Sequence, residues 1–214
     1  FLHPDKPIRA RLRASGVEAS LFPDFPSETL GSLHLASGLI DFELAMTGPL
    51  ASRDAIRTTG KIKGRNLTIG ADQLQDHLTK NWDVKSFEAP VSVHACDFEL
   101  DTLGGFGIIQ NFSVKTAHGI FKSRGFVYPD GALEMTGRAY VTVELIHFIE
   151  QLQAGNSPAS PPKFLPFQPT PWFTRTQDIS IRGDIRNPMA DFLVPGKMIT
   201  LPALITLLLT PNSL

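Results

Sequence analysis

Cysteine is almost missing from this 214-residue chain: Cys96 is the only one, so no disulfide can form within it and a thiolate zinc site lacks partners. In an apolar strand such a residue reads as a small core side chain rather than a reactive thiol. A surplus of either charge is also lacking. The 20 lysines and arginines stand against 21 aspartates and glutamates, a net charge of -1, which leaves no long-range field to steer nucleic acid or an anionic membrane. Long apolar runs are absent as well. The longest, Ile199 to Leu209 with Pro202 inside it, is about half of the roughly 20 residues a membrane-crossing helix needs. The opening residues lack the charged start and apolar run of a signal peptide, and the chain begins at Phe1 without Met, as a processed or excised segment would.

Motifs that carry chemistry are missing too. None of the histidines forms an HExxH pair, so a metal site has no support, and no Gly-x-Ser-x-Gly elbow marks a serine hydrolase. Gly104-Gly105-Phe106-Gly107 lacks the Lys-Ser/Thr that completes a phosphate loop and reads as a turn. Asp41 with Glu43, and Asp97 with Glu99, share strand faces, and paired carboxylates hydrolyse glycosides when held about 5–9 Å apart. A half-solvated sheet also requires polar residues at those positions, which is the simpler reading. His94 and His147 read as hydrogen-bonded structural residues. The expectation is a chain that does no chemistry and needs no metal or cofactor.

What is present is apolar material in short alternating runs. Hydrophobic residues make up 42% and charged residues 19%, below the roughly 25% charge usual in soluble domains, so most of the chain has the means to bury a core. Glycine and proline, 17 each, fall mostly between the runs, the pattern of strands divided by turns. Ile8 to Arg13 alternates strictly, with Arg9, Arg11 and Arg13 on one face. Leu39 to Met46 alternates more strongly, placing Ile40, Phe42, Leu44 and Met46 on one side and Leu39, Asp41, Glu43 and Ala45 on the other. A turn at Gly48-Pro49 leads into Ile56 to Ile69, where Gly60 and Gly64 suggest strands kinked or bulged so that a sheet can curve.

Further on, Leu74 and Leu78 recur at helical spacing and predict a short helix near 71–81. Val91 and Val93 lie on the opposite parity from Cys96, Phe98 and Leu100, and a bulge near Ala95 would reconcile them. Ile108, Phe112 and Val114 are assigned to one strand, broken only by Gln110. Phe121, Val127, Leu133 and Met135 occupy the less polar faces of two more, joined through a hairpin turn at Pro129-Asp130-Gly131. A second helix is predicted near 142–153, from Leu145, Ile146, Ile149 and Leu152. Residues 155–171 are dense in proline and must form an extended connector. Ile179, Ile181 and Ile185 predict a final strand, interrupted at Gly183 and ended by Asn187-Pro188, and a short apolar helix around Leu201 to Leu209 closes the chain.

The fold class expected is therefore mainly β: a curved antiparallel sheet, or an open β-groove or sandwich, with two or three short helices. Residues 1–154 form the sheet domain, 155–171 the connector, and 172–214 a last strand and helix on the same domain. The dry strand faces are rich in Phe, Ile, Leu and Met, and something must bury them. Self-packing as a sandwich is the plain answer on physical grounds, and a ligand groove is the other.

Several stretches bear on that choice. Ser37-Gly38-Leu39-Ile40-Asp41-Phe42-Glu43-Leu44-Ala45-Met46-Thr47-Gly48 resembles the glycine-started, alternating strand unit of the AsmA-like proteins of bacterial envelopes, β-rich chains that include bridge-like lipid carriers. Gly60 to Ile69 looks like the strand that follows, and Phe106 to Gly137 resembles the family's C-terminal region. Ile179 to Pro188 is similar to its closing "apolar strand, Gly, short link, Asn-Pro" ending. The resemblance implies a periplasmic segment of a protein anchored in the inner membrane, acting in outer-membrane lipid homeostasis. The dry face of its sheet would receive acyl chains of phospholipid or another lipid while head groups stay in water.

On that reading Ile40, Phe42, Leu44, Met46, Phe112, Val114, Phe121, Val127, Leu133 and Met135 line the lipid-binding surface. The alternative is a structural or protein-interaction β-domain of the envelope without a lipid ligand, whose sheet edges or connector contact another envelope protein. A third is a carbohydrate-active β-sandwich using Asp41 and Glu43.

Overall fold

Alternation at period two makes one side of each segment apolar, and such segments are stable only when their backbone groups pair with neighbours. The computed structural model describes residues 7–27, 31–49, 52–71, 91–116, 119–142, 174–185, 187–192 and 198–200. They form β1 (Pro7–Glu18), β2 (Phe25–Ser27), β3 (Gly31–Pro49), β4 (Arg57–Ala71), β5 (Val91–Leu103), β6 (Phe106–Lys115), β7 (Gly119–Val127), β8 (Ala132–Thr142), β9 (Thr174–Asp184), β10 (Asn187–Phe192) and β11 (Met198–Thr200). All eleven strands belong to one sheet, in the order β1-β3-β4-β5-β6-β7-β8-β9-β10-β11. Each pairing is antiparallel.

β3 is long enough, at 19 residues, to take two partners in line on one edge: β1 along Leu39–Pro49 and β2 along Gly31–Leu33. The sheet is open, because β1 and β11 occupy opposite ends of the order. A second sheet, as a sandwich would need, is not found among the described residues.

The turns from β5 to β6 and from β7 to β8 lie at one end of the strands. Gly104 and Gly105 join β5 to β6 with φ of 61° and 79°, both in the left-handed region that a two-residue hairpin requires. The expected Pro129-Asp130-Gly131 turn is present between β7 and β8: the Gly131 N–H donates to the Tyr128 carbonyl at 2.9 Å, and the Asp130 side chain accepts from the Ala132 N–H at 3.0 Å. The intervals 72–90 and 143–173 begin and end at the opposite end of the strands. The helices expected near 71–81 and 142–153, the connector 155–171 and the apolar helix at 201–209 lie on or within intervals outside the described residues. Ala71 and Thr142 themselves end β4 and β8. Helical structure among the described residues is limited to two 3-10 turns, Ala19–Leu21 and Arg53–Ala55.

Four expectations need correction or refinement. Gly60 and Gly64 do not break the ladder, since Leu44↔Gly60↔Leu100 and Ile40↔Gly64↔Cys96 pair in register. Gly64 instead makes room: a Cβ there would lie 2.5 Å from Leu67 Cδ1 and 2.6 Å from Cys96 Sγ. The irregularity expected near Ala95 involves both strands: the ladder passes from Arg65↔Ala95 to Leu67↔Val93 without pairing Asn66 and His94, and Asn66 has a φ of 49°. Ile108, Phe112 and Val114 do share one strand, β6, but Ile108 faces away from Phe112, because Glu99 pairs with Asn111 and Leu100 with Ile109, so Gln110 is an extra residue that reverses parity. Finally, Asn187-Pro188 starts a strand rather than ending the last one. Ile185 stands in the turn, exposed, and β10 and β11 follow β9.

At Gly125, between β7 and β8, a Cβ would come within 2.1 Å of the Glu134 carbonyl oxygen and 2.6 Å of Met135 Cα. Because both obstacles are backbone atoms, a side chain cannot fit without moving the strand. Gly125→Ala is expected to lower stability by about 1–3 kcal/mol. Gly16→Asn, at φ 66° with open space around it, should stay within about 0.5 kcal/mol of wild type in the same urea titration.

Candidate functional site

Directly paired residues of an antiparallel sheet point to the same face, so the registers assign every side chain to one of two surfaces. One row runs Ala14, Phe42, Ile62, Phe98, Phe112, Ser123, Gly137, Ile179 from β1 to β9. The next runs Leu12, Leu44, Gly60, Leu100, Ile109, Gly125, Met135, Ile181, Ala190. Ile40 lies in line with Val114 and Phe121, and Met46 in line with Val127 and Leu133, through the intervening strands. All ten residues expected on the apolar surface therefore share one face. Phe98, Phe112 and Phe121 meet edge to face across three strands, with centroids 6.3 and 5.7 Å apart.

Ile62, Phe98, Leu100 and Ile109 also lie on this surface without being among the ten, and Leu12, which alternation already puts on the dry side of the first strand, pairs with Leu44. Ile62, Phe98 and Leu100 occupy in-phase positions of recognised strands, so their alternation was the available signal. Ile109 was hidden by the bulge at Gln110.

Burial along this face is uneven. On β6 to β10 most of its apolar residues are buried, among them Ile109, Val114, Phe121, Leu133, Met135, Ile179, Ile181 and Ala190, while Phe112 and Val127 are half-buried. On β1, β3 and β4 several are not: Leu12 is 57% exposed, Leu44 and Met46 38%, and Ile62 36%. These four are register neighbours, so they form one patch continuous with the buried part of the face. Polar atoms are few along the buried part. The Ser123 hydroxyl is buried there without a hydrogen-bond partner among the described residues, which costs on the order of 1–3 kcal/mol. Cys96 lies on this face opposite Gly64 and Val114, half-buried, and burial pushes its thiol up.

The opposite face is ionic, and its charge alternates by strand: arginines on β1, carboxylates on β3, cations on β4, carboxylates on β5. Ion pairs join each strand to the next. Arg11 meets Glu43 at 2.7 Å, Arg65 meets Asp41 at 3.1 Å, Lys61 meets Glu99 at 3.3 Å and Lys63 meets Asp97 at 4.0 Å. Arg57 grips Asp101 with two donors, one of them Nε at 2.8 Å. A sixth pair, Arg138 with Asp178 at 3.0 Å, links β8 to β9. Ile108 and Phe126 are also on this face, partly exposed, where Phe106 stacks on Phe126 at 5.7 Å.

The carboxylates considered for glycoside hydrolysis are thus partners in a cross-strand ladder. The Gly16 N–H, donating to Asp41 at 2.7 Å, together with the Ser15 side chain and the Arg65 guanidinium, holds Asp41 below the usual carboxylate value. A glycosidase general acid needs the opposite shift. His94 is exposed on β5. No group of three or more metal-ligating side chains occurs among the described residues.

No family model matches the chain, and comparison with curated proteins and with solved structures found no similar protein. Among the described residues no helix is long and apolar enough to cross a membrane.

The ladder makes stability depend on pH with a definite sign. The Arg57 guanidinium lowers Asp101 from its ordinary 3.8, as the contacts above lower Asp41. Their contribution is complete above 3.8 and is lost as pH falls through the lowered folded values. A double variant, Asp41→Asn with Asp101→Asn, is expected to be less stable than wild type at neutral pH. Between pH of about 5 and 2 the two urea midpoints should converge, and parallel curves would refute this account.

Proposed function

We propose that this chain is a non-enzymatic segment of a bacterial envelope protein that binds or conducts lipid acyl chains along the apolar face of its sheet. The observation that carries the reading is the exposed patch of Leu12, Leu44, Met46 and Ile62, which leads without a polar break into the aromatic row at Phe98, Phe112 and Phe121. Such a surface in water is unfavourable, and hydrocarbon laid on it would replace that water. Each buried CH₂ contributes about 0.8 kcal/mol, so an acyl chain of roughly fifteen carbons needs on the order of 12 kcal/mol of apolar contact to leave a bilayer.

A row several strands wide is suited to share that contact without a specific hydrogen bond, and a carrier must also let its lipid go. The ionic face keeps the other side of the sheet in water. The AsmA-like stretches around Gly38, Gly60 and Ile179 support the same reading. The resemblance implies a segment in the periplasm, within a parent protein anchored in the inner membrane, with phospholipid or another acyl lipid as its cargo.

Protein purified without detergent should carry lipid, detected by native mass spectrometry and organic extraction. Leu44→Asp and Ile62→Asp are each expected to reduce lipid occupancy roughly tenfold, because each removes about one side chain's worth of apolar contact. Both sites are partly exposed, so the thermal midpoint should move little. Lipid-free wild-type protein, or folded variants that keep their lipid, would sink the proposal.

A further inference from the structure

The ion pairs of the charged face leave a remainder. Asp41, Glu43, Asp97, Glu99 and Asp101 engage Arg65, Arg11, Lys63, Lys61 and Arg57 in turn, which uses every cation of β4. Arg9 and Arg13 are left over on β1, and neither has an ion-pair partner among the described residues. Glu43 lies opposite Arg13 in register, but its carboxylate is held by Arg11. Thr47 lies opposite Arg9.

Among the described residues β1 is also where the sheet stops. It pairs with β3 on one side and with no described strand on the other, and nearly all its residues are exposed, Leu12 and Ala10 on the apolar face included. The strand order reads positive, negative, positive, negative inward from this edge. Carried one position outward, the same rule calls for a negative strand.

We propose that the free edge of β1 is a strand-addition site for an extended segment of a partner protein in which carboxylates alternate with apolar residues. Its backbone would complete the hydrogen bonds of the β1 edge. Its carboxylates would meet Arg9 and Arg13 on the charged face, and its apolar residues would cover Ala10 and Leu12 on the other. A second copy of β1 does not fit, since antiparallel β1–β1 pairing sets arginine rows against each other. Nucleic acid does not fit either, because it offers no backbone to extend a sheet. The proposal is independent of the lipid reading, and its test contains no lipid.

The probe is a fluorescein-labelled peptide with the sequence of Ala95–Leu103 carrying Cys96→Ser, which alternates Asp97, Glu99 and Asp101 with Phe98 and Leu100. Anisotropy at low ionic strength should show saturable binding to the intact protein, weakened strongly at about 0.5 M salt. Arg9→Glu with Arg13→Glu should weaken it at least roughly tenfold. Arg9→Gln with Arg13→Gln should give a smaller loss, and serves as the readout if charge reversal disturbs folding by circular dichroism.

A peptide with lysine for its three acids should not bind, nor should peptides N-methylated on alternate amides of the pairing edge. Absence of binding, equal binding by the arginine variants, or undiminished binding by the N-methylated peptides would each overturn the proposal. So would a wild-type protein that ignores the peptide while Arg9→Val with Arg13→Val self-associates, an outcome that assigns the arginines to guarding the edge.

Discussion

Strand register is the constraint on which the two surfaces depend. Side chains alternate with a period of two, so a slip of one residue between β3 and β4 would turn Ile62 toward the charged face and bring Lys61 or Lys63 among Phe42 and Phe98. Burial is the main resistance to such a slip on β6 to β10, where most of the apolar side chains are enclosed. On β1 to β5 burial is incomplete, and the ion pairs from Arg11–Glu43 to Arg57–Asp101 take over the role. Opposite charges on successive strands meet only in the native register.

The two flanks of the sheet are therefore held by different forces. Exposed ion pairs contribute about 0–1 kcal/mol each, whereas burying a large apolar side chain contributes about 1.5–3 kcal/mol. The β6–β10 flank is the stable part, and the β1–β4 flank is the part expected to open first in native-state exchange. Ser123, buried beside the aromatic row without a partner among the described residues, shows that even the enclosed flank tolerates one unsatisfied hydroxyl where β7 and β8 crowd together.

Much of this was legible in the chain itself, for physical reasons that differ from place to place. Leu39 to Met46 alternates without exception, so its faces could be assigned directly, and Pro129-Asp130-Gly131 combines a preset φ, a capping carboxylate and a left-handed residue in one turn. Ile108 could be assigned to its strand but not to a face, because whether Gln110 continues the pleat or bulges out is decided by its neighbours on β5 and β7, not by local composition. Asn187-Pro188 misled for a related reason. Proline removes an N–H and so suggests a strand's end, yet it is admissible near the start of a strand, which is where β10 places it. The uneven exposure of the apolar face was not readable at all, since Leu44 and Leu133 are alike in sequence pattern and differ only in what surrounds them.

That difference is also where stability and function meet. If the β1–β4 flank owed its stability to burying Leu12, Leu44, Met46 and Ile62, admitting a ligand there would compete with the contacts that keep the strands together. The ladder removes that conflict, because its charges sit on the opposite face and are indifferent to what lies against the apolar one. An acyl chain would then add apolar contact to a flank already fixed in register. The ionic face is in this sense what allows the apolar face to remain open.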